Sequence, residues 1–416
     1  MLETLNQAVR TPEMRKKITF TLIMFLIFRI GTHIPVPGFD KAAIDQLVNQ
    51  AKLLGFFDII SGGGFRNISI FAMSITPYIN ASIIMQLMTV VSPRIEAMAK
   101  DDRKKMVEWT RYLTVILGFI QALGMTLGLL RRAVIAQGPF SVIVIAVTFT
   151  AGTACLMWIG ELITEKGIGN GISLIIFAGI VSKIPHGIST LYEYVQGGPI
   201  RILFVFFFLI IALLIIMGII VVNQGERRVP VQYAKRVVGR KVYGGQSTHI
   251  PIKVNSAGVI PVIFAMSIMM LPSTVATFFP KSAVANFISQ NLSVNSIGYN
   301  ILYALLILFF TYFYSSITFN PIDVSDNIRR NGGFIPGLRP GRPTSEYITR
   351  VMARITLFGA IFLAAIAVLP AIIFGATGMN LYFGGTSLLI VVGVALDTMK
   401  QIESNMLMRN YQGFMK

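Results

Sequence analysis

A chain of 416 residues that is 54% hydrophobic and only 13% charged is too apolar for a string of soluble domains. Its formal net charge of +18 would point to nucleic acid in a soluble protein, but the 36 Lys and Arg crowd between long apolar runs. One cysteine, Cys155, and three scattered histidines, His33, His186 and His249, exclude an internal disulfide and offer no metal constellation, so neither metal nor cofactor is expected.

In chain order, apolar runs long enough to cross about 30 Å of hydrocarbon predict ten spanning helices. They lie near 18–36, 70–91, 112–130, 140–162, 168–185, 201–222, 258–279, 299–318, 354–374 and 381–399. Arg10, Arg15, Lys16 and Lys17 precede the first run as in a secretory leader. The run is too long for a leader's apolar core and lacks an Ala-x-Ala-like exit, so it reads as an uncleaved span. Between the first two spans, Ser61-Gly62-Gly63-Gly64 and Arg66 form a surface-like loop that passes into an apolar helix carrying Pro77 in mid-span. A loop followed by a short helix and then a spanning helix places a segment partway into the membrane. At the fifth span, Gly167 to Ser173 (GIGNGIS) supplies glycines that permit a tight turn and close helix approach, and packing alone accounts for them.

The spans divide five and five about the 186–200 connection, giving halves 1–185 and 201–416. The second span of each half carries a proline, Pro77 and Pro261, as in an inverted repeat with a cavity between its halves. Of the Lys and Arg between spans, twenty-seven fall on the side of both termini and eight on the other, which makes the termini cytoplasmic. That bias serves orientation and contact with anionic lipid first. Two cytoplasmic connections are longer than topology needs. In 223–257, RRVPVQYAKRVVGRKVYGG flanks Gly239 with β-branched and aromatic residues, as a projecting hairpin would. In 319–353, FIPGLRPGRPT has the Pro and Gly of a shaped loop. Both present cations to a docking partner.

Catalytic chemistry does not stand out. Arg29, Glu161 and Asp397 lie toward helix ends, where snorkelling or capping accounts for them, and no proton relay is evident. Gly239 and Gly244 have phosphate-loop spacing, but Gly245 and Gln246 follow where Lys and Ser or Thr are needed. The chain is therefore not expected to be an enzyme, and energy for any transport must come from a partner or a gradient.

Several motifs resemble one family. ITEKGIGNGISLIIFAGIV (163–181), MSITPYINASIIMQLMTVV (73–91), KVYGGQSTHIPIKVNSAGVIPVIF (241–264), FIPGLRP (334–340) and LYFGGTSLLIVVGVALD (381–397) look like the SecY family of protein-conducting channels, in order along the whole chain. The resemblance implies an all-α clamshell of two five-helix halves around an hourglass pore in the bacterial cytoplasmic membrane. It implies a pore ring of Ile79, Ile83, Ile172, Ile176, Ile260, Ile263 and Ile390. The first two pairs are spaced i, i+4, which puts each pair on one helix face. It implies a plug near 57–67, with Phe57, Ile59 and Ile60 docking under the ring and Gly62, Gly63 and Gly64 as a hinge. A lateral gate is implied between the second and third spans and the seventh and eighth, with Gln121 as a polar gate residue. Where family members outside bacteria carry asparagine in the seventh span, Ser267 stands here. Arg227, Arg228, Arg236, Arg240 and Lys241 of the hairpin, and Arg339 of the second loop, are implied to dock the ribosome and the SecA motor. SecE and SecG are the implied membrane partners, and signal sequences and nascent polypeptides the cargo. A small-solute transporter would instead need a midplane ligand site, and an insertase would need no through-pore.

Overall fold

A computed structural model gives the fold over residues 10–40, 58, 61–130, 133–135, 138–196, 198–233, 236–238, 241–243, 247–278, 296–377 and 385–414. The first half comprises α1 (Pro12–Gly31), α2 (Thr76–Val91), a short α3 (Pro93–Asp101), α4 (Arg103–Gly124), α5 (Pro139–Lys166) and α6 (Gly171–Val181). A π-helical turn, Met125–Leu129, extends α4. The connection is largely helical, as α7 (Ile184–Val195), in which no residue is buried. The second half comprises α8 (Pro199–Gln224), α9 (Ile260–Phe278), α10 (Ile297–Thr318), α11 (Pro321–Arg330), α12 (Arg342–Thr377) and α13 (Gly385–Phe414). Ten of these helices, α1, α2, α4, α5, α6, α8, α9, α10, α12 and α13, correspond to the ten predicted spans.

One predicted boundary and the expected interior place of two prolines are corrected. The second span does not begin at 70 with Pro77 in its middle, because residues 61–75 fold as turns and Pro77 sits in the first turn of α2. A first-turn amide has no acceptor within its helix, so proline loses nothing there and its fixed φ suits helix entry. Pro261 likewise is the second residue of α9. Among the described residues, the prolines that do stand inside helices are Pro272 of α9 and Pro370 of α12.

Within the first half, α2 packs on α4, α4 on α5 and α5 on α6, with α1 against α5 and α6. Within the second, α9 packs on α10, α10 on α12, α12 on α13 and α13 on α8. The halves meet along two seams. On one, α9 lies against α2, α4 and the π-turn; on the other, α13 lies against α6. The outer face of α8 is apolar and exposed, with Phe206, Leu213 and Met217 pointing away from the protein, as a lipid-facing helix requires.

The two long loops fold together. β1 (Glu226–Tyr233) pairs antiparallel with β4 (Ser247–Lys253), and the outer strands β2 (Arg236–Val238) and β3 (Lys241–Tyr243) pair antiparallel with each other, with Val238 opposite Lys241. A two-residue strand from the second loop, β5 (Gly333–Phe334), adds to the free edge of β1 through Gln232 and Tyr233. Val229, Val231 and Ile252 of the hairpin bury against Ile328, Ile335 and Ile348 of the second loop and its helices. The result is one small platform with its own core.

Candidate functional site

The isoleucines expected to form the ring converge on one apolar core. Ile79, Ile83, Ile176, Ile263 and Ile390 are buried in a single cluster drawn from both halves, and half-buried Ile172 and Ile260 pack against it. They come from α2, α6, α9 and α13, the helices that form the two seams. Local sequence explains their placement. In the turn between α5 and α6, Gly169 takes φ +83°, and the Asn170 side chain caps α6 by accepting from the amides of Ile172 (3.1 Å) and Ser173 (3.3 Å). Gly171 lies so close to the Gly160 carbonyl of α5 that a Cβ there would collide with it. The first turn of α6 is thus pinned to α5, which places Ile172 and Ile176 one turn apart on its inner side.

Of the expected plug residues, Phe57, Ile59 and Ile60 lie outside the described residues, while Gly62, Gly63 and Gly64 are buried. Gly62 and Gly63 adopt φ of +64° and +92°, which favours glycine at both. The segment closes on itself through the Gly63 amide to the Asp58 carbonyl (2.8 Å), the Arg66 amide to Asp58 Oδ1 (2.8 Å) and the Ser69 amide to the Gly64 carbonyl (2.8 Å). It is also tied outward. Arg29 Nη1 donates to the Gly62 carbonyl at 2.7 Å, and Lys183 Nζ pairs with Asp58 Oδ2 at 2.6 Å. Arg29 is therefore not simply a helix-end residue reaching for water or capping. Phe65 and Ile68 anchor a second buried cluster with Val36, Ala122, Ile145 and Phe149, so the segment packs on α4 and α5.

Of the expected gate residues, half-buried Gln121 lies in the last turn of α4, just before the π-turn, and buried Ser267 lies on α9, which packs on both. Phe264 of α9 meets Phe310 of α10 edge to face at 5.8 Å, which couples the seventh and eighth spans. Neither the π-turn nor Asn80 is marked by hydrophobic periodicity. Asn80 is buried beside Ile79, and among the described residues its Oδ1 meets no hydrogen-bond donor.

On the platform, Arg227, Arg228 and Arg339 are exposed. Arg228 Nε is held by Glu226 at 2.8 Å. The backbone of Arg339 is fixed by Thr344 Oγ1, which donates to its carbonyl at 2.9 Å. Arg236 and Lys241 occupy the facing outer strands, and Arg240 lies outside the described residues.

The pairing of Asp58 with Lys183 joins positions 125 residues apart. Its only trace in the sequence is a lone acid beside the glycine run and a lone cation after the fifth span.

Comparison with known proteins agrees with this fold. The SecY family model matches residues 69–399. The protein translocase subunit SecY of Halalkalibacterium halodurans is 48% identical over 432 aligned residues, covering all of both chains. A solved SecY structure, described in terms of a plug domain that stabilises the closed state and maintains a membrane seal, superposes with a TM-score of 0.67 at 19% identity, over 94% of this chain and 92% of that one. Sec61 in the canine ribosome–channel complex superposes with a TM-score of 0.60 at 16% identity, over 94% and 92%. With most of its length matched by the family model and its whole length by a close relative, this chain belongs to the SecY family of protein-conducting channels, the multi-pass channel subunits of the protein translocase.

Proposed function

We propose that the seven isoleucines form the constriction through which an unfolded secretory polypeptide passes, and that apolar segments leave sideways between α2 and α4 on one side and α9 and α10 on the other. The supporting observation is that ring residues from both halves share one buried apolar cluster. An aliphatic constriction dewets and resists ions, yet makes few strong contacts with a chain of varied sequence. Parting the seam of α9 against α2 and α4 would open the same cluster toward lipid.

On this reading residues 57–67 are the plug, the halves divide at the 186–200 connection, and both termini face the cytoplasm of a bacterial cell. The platform is the docking face for the SecA motor and the ribosome, and SecE and SecG complete the membrane complex. The chain carries out no bond chemistry of its own. The test is I79C, I176C and I263C with a secretory chain stalled in transit. Crosslinks from all three, with none from exposed Leu213 carrying L213C, are expected. No crosslink from the three while outer-surface controls react would remove the pore assignment.

A further inference from the structure

We propose that Asp58 and Lys183, with Arg29, form a polar latch that holds the plug in its sealing position. This inference rests on the reading of 57–67 as the plug. Asp58 uses both carboxylate oxygens: Oδ1 accepts from the Arg66 amide at 2.8 Å, closing the turn, and Oδ2 binds Lys183 Nζ at 2.6 Å. The two side chains are 10% and 21% exposed, so the pair is largely removed from water. A charge this far from water holds only while its partner is present, and deleting one partner leaves the other uncompensated.

A second tie lies beside the first. The Gly62 carbonyl accepts from Arg29 Nη1 at 2.7 Å and from Ser182 Oγ at 3.4 Å. Gly62 itself is seated so closely against Gly179 and Ser182 that a Cβ would press on both, and its φ of +64° favours glycine. These ties end on α1 or on the close of α6. Lys183 is the residue immediately before α7, which leads into the second half. The latch thus sits at the root of the connection between the halves, where a rearrangement of that connection would act on it directly. Its contribution is differential: the ties exist only with the segment docked, so their loss shifts the population toward the unsealed state.

The experiment measures resting ion conductance of the complete translocase in planar bilayers. D58N keeps an oxygen for the Arg66 amide and removes only the charge. D58N and K183Q should each raise resting conductance at least tenfold, toward the level reached by deleting 57–67, and the D58N/K183Q double variant should leak no more than either single one. K183R, which preserves the cation, should stay sealed. Translocation of a secretory precursor by D58N and K183Q would show that both variants are folded. If D58N and K183Q seal like the parent while the deletion leaks, the latch is wrong and the plug reading stands. If the deletion also fails to leak, both fall.

Discussion

Arg111 of α4 grips Glu161 of α5 with two parallel bonds, Nε to Oε1 at 2.9 Å and Nη2 to Oε2 at 2.8 Å. The fork fastens α4, which borders the seam with α9, to its own half. Because 48% of the Arg111 side chain and 21% of the Glu161 side chain remain exposed, the pair contributes about 1 kcal/mol rather than the several of a buried pair. R111K keeps the charge but cannot reproduce the planar fork, so it should lose most of that contribution. In a double-mutant cycle on thermal unfolding of the purified complex, R111K and E161Q should not add. Fully additive losses would show that the two residues act separately.

If the seven isoleucines form the proposed constriction, polar replacement there should break its seal. I83N and I176N, at two of the most buried ring positions, should raise resting ion conductance while secretory chains still pass, because the opening is wetted rather than blocked. L213N, on the exposed face of α8, is the control and should not change conductance. Equal leak from all three variants would mean that the effect is general disruption of the bundle.

Much of this architecture is written in local pattern. Ten apolar runs are visible because a membrane span demands a long continuous one. The hairpin about Gly239 is visible because β-branched residues flank a turn. The i, i+4 spacing of Ile79 and Ile83 shows one helix face, but choosing those isoleucines over exposed Ile23 or Ile116 takes the family resemblance. What periodicity cannot carry is relation across distance. The antiparallel pairing of Gln232 with Phe334, like that of Asp58 with Lys183, has no local signature. Pro77 is ambiguous for another reason: the residue that starts a helix and the one that kinks it are the same, and only the turns over 61–75 decide between them.

Tight helix approach at the fifth span is a further expectation. G171A would place its methyl against the Gly160 carbonyl backbone, which has no side chain to rotate away. Overpacking of this kind costs about 1–3 kcal/mol, so the variant should accumulate at lower level in membranes and unfold earlier on heating. A fully stable G171A would mean that α5 and α6 separate more easily than their packing implies.

Charge on the platform should be read out by salt. If Arg227 and Arg339 meet ribosomal RNA phosphate, R227A and R339A should each weaken ribosome binding and lower the slope of log affinity against log salt by about 1. R228A should do less, because Arg228 is already held by Glu226. An unchanged slope in R227A and R339A would show that these arginines do not neutralise phosphate.

The platform's rigidity rests on its small core, and Ile348 is its most enclosed member, fully buried among side chains from both loops. I348A would leave a cavity costing about 2–5 kcal/mol. A unit this small has little stability to spare, so the loss should fall on the platform before it reaches the membrane bundle, whose helices are held by their own packing and by lipid. Limited proteolysis should then cut I348A within 225–257 and 319–341 faster than the parent, while the spans resist equally. If the platform docks the ribosome as proposed, binding should weaken although Arg227, Arg228 and Arg339 are still present, because β1 and β5 no longer hold the two loops in one frame. If proteolysis accelerates but binding is unchanged, each loop docks on its own and the β1–β5 pairing contributes only stability.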